Sequence, residues 1–156
     1  MKRQIGVALN ENFTITPSFR ELRQTARKNG VRLHRYRGLF APYKLSPGDI
    51  FGLSDLWIEV GAVFGKIKEF KVFRNAESYI CDRVNVYESF DEINEKLIEI
   101  YGAPHYTSGS HDNDNTLCEW YFAGIKIRHY IFERFGAVDY LVFEFVDNLY
   151  AKLVKK

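Results

Sequence analysis

Histidines, carboxylates and thiols are the side chains best able to move protons or hold metal ions, and in this sequence the histidines and thiols are few. The four histidines are His34, His105, His111 and His129. His129 falls within an apolar, strand-like run, where Glu119 and Glu133 can approach it from a paired strand. A His–carboxylate pair can act as general acid and base, although a hydrogen-bonded sheet histidine fits the same pattern more simply. His34 stands among arginines, as at a nuclease-like centre, but no second histidine accompanies it. The run His105 to His111-Asp112-Asn113-Asp114 has metal-ligand residue types. Its Asp-x-Asp start is that of a calcium loop, yet the Gly and the distal Glu of such a loop are missing, so a polar connection accounts for it. Cys81 and Cys118 lack the paired spacing of a zinc site. Gly61 to Gly65 lacks the Lys-Ser/Thr ending of a phosphate loop. Ser108-Gly109-Ser110 is a turn, not a nucleophile elbow. These residues imply no cofactor and no metal. A small hydrolase or nuclease is the weakest of the functional expectations.

Arginine carries the stronger signal. Residues 1–48 hold ten Lys/Arg against Glu11 and Glu21, a net charge of +8. Residues 49–156 hold twelve against eighteen Asp/Glu, a net charge of −6. Arg20, Arg23, Gln24 and Arg27 recur at i, i+3, i+4 and i+7, which is one stripe of a helix. Lys28, Arg32, Arg35 and Arg37 follow, with Tyr36 beside them for stacking. Guanidinium groups fork onto carboxylates and phosphates. The expected binding residues are therefore Arg20, Arg23, Arg27, Lys28, Arg32, Arg35, Tyr36 and Arg37. Two plainer uses of the charge compete with this one. The basic stripe can pair with an acidic second helix carrying Glu88, Asp91, Glu92, Glu95 and Glu99, or it can simply face solvent.

The elements that must position these groups follow from periodicity and punctuation. Residues 4–9 read as a short strand. A helix over 18–29 is predicted by the capping box Ser18/Glu21 and the stop Asn29-Gly30. Residues 31–37 alternate as a strand, and 38–56 read as a long loop. Residues 57–73 read as strand with a break near Gly65, and 79–87 as another strand. A second helix over 89–101 starts at a second capping box, Ser89/Glu92, with Ile93, Leu97, Ile100 and Tyr101 on one face. Residues 105–115 read as a polar loop. Strands 116–122, 125–134 and 137–146 then form an antiparallel meander. The starts Ser18-Phe19-Arg20-Glu21 and Ser89-Phe90-Asp91-Glu92 are alike. Capping chemistry alone explains that likeness, and an internal duplication is the less favoured account.

The fold class expected is therefore α+β, a mostly antiparallel sheet with two main helices, in a single domain over 1–156. Composition agrees: 46% hydrophobic, 27% charged and 16% aromatic residues describe a globular chain with a sizeable core. No stretch is long and apolar enough for a membrane span, and no export signal is read, so a cytoplasmic location with reduced thiols is expected. The small bacterial α+β proteins with a Trp-bearing meander after a helix ending Tyr101-Gly102-Ala103-Pro104 are similar in architecture, which implies no function. The function expected is that of a small non-enzymatic binding protein, an inhibitor or immunity-type protein docking its Arg-rich surface on an acidic protein partner. A nucleic-acid-binding module using the same stripe is the alternative. The apolar groups on both faces of the middle meander strand add the expectation of a homodimer through the C-terminal sheet.

Overall fold

Residues 56–74 alternate between two environments, and that alternation builds one of the two long hairpins among the described residues. In the computed structural model, which describes residues 5–35, 42–74, 85–109, 116–133 and 137–146, β5 (Leu56–Val63) and β6 (Lys66–Arg74) turn at Phe64-Gly65. Leu56, Ile58, Val60, Phe70 and Val72 point to the core. The chain order is β1 (Val7–Asn10), β2 (Phe13–Ile15), α1 (Phe19–Lys28), β3 (His34–Arg35), β4 (Tyr43–Leu45), β5, β6, α2 (Val86–Tyr101), β7 (Tyr106–Ser108), β8 (Leu117–Phe122), β9 (Ile125–Glu133) and β10 (Ala137–Phe145). Strands β1 and β2 form a separate hairpin. The other eight form one sheet in the order β3-β4-β5-β6-β10-β9-β8-β7, and every described pairing is antiparallel.

The sheet order is symmetric. A helix followed by a four-strand meander occurs twice: α1 with β3 to β6, then α2 with β7 to β10. The two meanders join where β6 pairs with β10. Buried core residues recur 71 positions apart: Leu22 and Ile93, Ala26 and Leu97, Leu56 and Ile127, Ile58 and His129, Val60 and Ile131, Phe70 and Leu141, Val72 and Phe143. The Ser-Phe-x-Glu starts and the Phe-Gly pairs at 64–65 and 135–136 obey the same spacing. At the seam Lys71 pairs with Val142, which is also 71 residues away, so these two equivalent residues lie on the local two-fold axis. Capping alone does not produce this register. The two Ser-Phe-x-Glu segments belong to an internally repeated unit, the account that the sequence reading favoured less.

Several other boundaries differ from expectation, for physical reasons. The second helix starts one turn early. Asn85 is its N-cap, accepting from the Tyr87 N–H at 2.8 Å. Residues 86–87 are thus helical rather than the end of a strand over 79–87, whose residues 79–84 lie outside the described ones. Ser89 sits inside the helix. Phe90, Ile93 and Leu97 form the buried face, and Ile100 turns outward. Within the expected loop 38–56, residues 43–45 form β4, and Ile50, Phe51 and Leu53 are buried; the Phe51 ring lies 5.9 Å from that of Phe143. Tyr106–Ser108, expected as loop, forms the short edge strand β7. The strand expected over 31–37 is described only as the two residues of β3.

Both helices pack on one face of the sheet. Phe90 of α2 stacks on His129 of β9 with ring centroids 4.0 Å apart, and Phe19 of α1 meets Tyr43 of β4 at 4.7 Å. No described helix lies on the opposite face. There Trp57, Phe73, Tyr140 and Tyr130 occupy neighbouring strands β5, β6, β10 and β9 and form a half-buried aromatic row. The Lys44 ammonium sits over it, 4.8 Å from the Trp57 ring and 5.2 Å from that of Phe73. Among the described residues, no helix is long and apolar enough to cross a membrane.

Candidate anion-binding surface

The first helix is built to hold its arginines outward. The Ser18 hydroxyl accepts from the Glu21 N–H at 3.3 Å. The Glu21 carboxylate accepts in turn from the Thr16 hydroxyl, which fixes the helix entry. Leu22 and Ala26 are buried, and Phe19 covers Tyr43. The opposite stripe, Arg20, Arg23, Gln24 and Arg27, is exposed. With Phe19 and Gly65 it lines a shallow groove of about 410 Å³. Arg27 and Lys28 stand in the last turn, where a cation suits the helix dipole; Arg20 stands in the first turn, where it opposes it.

The sheet leaves the other predicted residues apart from this groove. Lys28, Arg32 and Arg35 are exposed but do not line it, and Arg35 lies on edge strand β3 opposite Tyr43. Tyr36 and Arg37 lie outside the described residues. Among the described residues, no carboxylate forms an ion pair with Arg20, Arg23, Arg27, Lys28, Arg32 or Arg35, and no ion pair joins the two helices. The acidic helix spends its charge elsewhere: Glu92 pairs with Arg74 of β6, and Glu99 with Lys96 at 3.0 Å.

Two of the histidines, His129 and His105, are tied into the sheet. His129 is 0% exposed. Its Nε2 faces an Asp139 carboxylate oxygen at 3.6 Å and its Nδ1 faces Asn94 Oδ1 at 3.4 Å. Glu119 is not its partner: the Glu119 carboxylate accepts from the Tyr121 hydroxyl and lies 3.4 Å from the Lys126 ammonium, and the Glu133 side chain lies outside the described ones. Asp139 also accepts from the Ser89 hydroxyl at 3.1 Å, and the Arg74 Nε donates to the Ser89 oxygen at 2.6 Å. Hydroxyl, imidazole and carboxylate are all present, but in the wrong order. A nucleophilic triad needs the imidazole between serine and carboxylate, whereas here the carboxylate stands in the middle. Burial pushes the His129 pKa down, partly opposed by Asp139, so the ring is neutral near neutral pH. His105 accepts the Tyr121 N–H at Nδ1, 3.1 Å away, and so braces β8. His34 is exposed opposite Lys44. The Cys118 thiol is buried, and burial raises its pKa. His111 and the Asp112–Asp114 run lie outside the described residues, as does Cys81. Among the described residues, no group of three His, Cys, Asp or Glu side chains could hold a metal ion.

Sequence reasoning missed two features beside the Arg groove. One is the exposed pair Val63-Phe64 at the β5–β6 turn; an apolar pair at a Gly-containing turn was the available signal. The other is the aromatic row on the open sheet face, whose order depends on strand pairing that the sequence does not display. Comparison with protein-family models, with curated proteins and with solved structures found no match for this chain.

Proposed function

We propose that this chain is a non-enzymatic binding protein of inhibitor or immunity type, which docks the Arg20–Arg23–Arg27 face of α1 on an acidic protein partner. The observation that carries this reading is the exposed Arg groove, which has no ion-pairing carboxylate among the described residues. Holding three guanidinium groups in one stripe, one of them against the helix dipole, raises the free energy of the free protein. A carboxylate-bearing surface relieves that repulsion on binding. The apolar pair Val63-Phe64 next to the groove favours a protein over a bare polyanion, because interface cores combine aromatic and Arg side chains.

The test is binding to poly-L-glutamate and to single- and double-stranded DNA and RNA at low and moderate salt, with wild type and the Arg20→Glu/Arg27→Glu double variant. Wild type binds poly-L-glutamate and the variant does not. Tight nucleic-acid binding with a log–log salt slope near −0.9 per neutralised phosphate, without polyglutamate binding, would replace the protein partner with DNA or RNA. Equal binding of polyglutamate by both proteins would sink the Arg surface.

A further inference from the structure

We infer that Phe64 is the apolar anchor of this docking surface, and that the acidic partner receives it in an apolar cleft bordered by carboxylates; the inference rests on the Arg-face reading above. Phe64 is 101% exposed, and its neighbour Val63 is 57% exposed. The fold therefore gains nothing from burying this ring. Its backbone is costly as well. Phe64 has φ 50° and Gly65 φ 72°, so both residues of a two-residue hairpin turn are left-handed. Such turns favour Asn-Gly or Asp-Gly, and a bulky side chain at the first position is an outlier. A residue that is both strained and fully exposed contributes to something other than folding.

Its placement says what that is. The turn is fastened to the start of α1: the Phe19 N–H donates to the Gly65 carbonyl at 3.1 Å and the Ile67 N–H to the Pro17 carbonyl at 2.7 Å. Phe64 is thus a fixed projection, and a fixed anchor loses little entropy on binding. On one side lies the Arg groove, which Gly65 helps to line. On the other lies a groove of about 560 Å³ walled by Pro17, Phe64, Ile67 and Phe145, with Lys66 and Lys68 exposed along it. An aromatic ring between two sets of cations matches an apolar pocket between two sets of carboxylates. Protein interfaces concentrate their energy in such central aromatic anchors, with charge at the rim.

Phe64→Asn tests the anchor, because Asn suits the left-handed turn. Wild type, Phe64→Asn and Arg20→Glu/Arg27→Glu are titrated with poly-L-glutamate and with a glutamate-rich glutamate–tyrosine copolymer, alongside thermal melts. Wild type prefers the copolymer. Phe64→Asn binds the copolymer about tenfold or more weakly, the loss of a moderate hot spot, keeps its grip on polyglutamate and melts no lower than wild type. Copolymer binding equal to wild type in Phe64→Asn overturns the anchor and leaves the Arg face standing. Unchanged polyglutamate binding in the Arg variant overturns both. Single-stranded DNA binding lost in Phe64→Asn, with no copolymer binding, assigns the ring to base stacking instead.

Discussion

The two repeats share one plan and use it in opposite ways. In the first, the layer beneath the helix is apolar and the helix turns its charge outward. In the second, polar groups turn inward: Ser89, Asn94, His129 and Asp139 meet beneath α2, joined by Arg74 from the first repeat. His129 occupies the position that Ile58 holds in the first repeat, and Asn94 of the network the position of Arg23 of the stripe. Equivalent backbone positions thus carry a core network in one half and a surface stripe in the other. Surface charge has diverged on a scaffold most of whose repeated buried positions stay apolar, His129 in the place of Ile58 being the exception.

The contrast makes predictions that differ in magnitude. Cutting the inward network has the largest effect. Arg74→Ala removes the donor to the buried Ser89 and the partner of the half-exposed Glu92, and should destabilise by about 1–3 kcal/mol, the usual cost of leaving a buried polar group without its partner; urea denaturation measures it. A loss near zero would mean that the network is loosely held. The next effect depends on pH. His129 is neutral in the fold because burial lowers its pKa, while the unfolded chain takes a proton near pH 6.5. Between those two pKa values the unfolded state binds more protons, so stability falls as pH drops below about 6.5, by at most ~1.4 kcal/mol per pH unit. His129→Ile, which writes the first repeat's residue into the second, should flatten that slope in melts from pH 7 to 5. A slope identical to wild type would place the acid sensitivity elsewhere. The outward stripe gives the smallest effect on stability. Arg20→Glu/Arg27→Glu should change it by no more than about 0.5 kcal/mol, as exposed substitutions do. A large loss would reveal charge compensation inside the fold.

Much of the first repeat was legible in the sequence. Ser18, Glu21 and Asn29-Gly30 bound α1 because capping chemistry is local. The strand break at Gly65 and the C-terminal meander also followed from local punctuation. The start of α2 was not legible, because Ser89 and Glu92 have cap spacing while their side chains serve tertiary partners: Ser89 bridges Arg74 and Asp139, and Glu92 pairs with Arg74. Strands β4 and β7, three residues each, are too short to show alternation. The duplication was hidden because the repeated core positions keep an apolar type rather than identity, as Ala26 and Leu97 do. The Arg stripe was visible as a pattern, but whether anything neutralised it was a question of packing.

The Lys71–Val142 seam also bears on the order in which the chain can fold. Each meander closes through neighbours in sequence, at little loop-closure cost, whereas β6 must find β10 across about seventy residues and the whole of α2. The two halves should therefore form first and join last, leaving β6 and β10 as bare strand edges in the meantime, the state most open to pairing with another chain. Pulse-labelling hydrogen exchange during refolding would show the amides of the β5–β6 and β8–β9 pairs protected before those that bond across the seam; protection at the seam first would reverse that order.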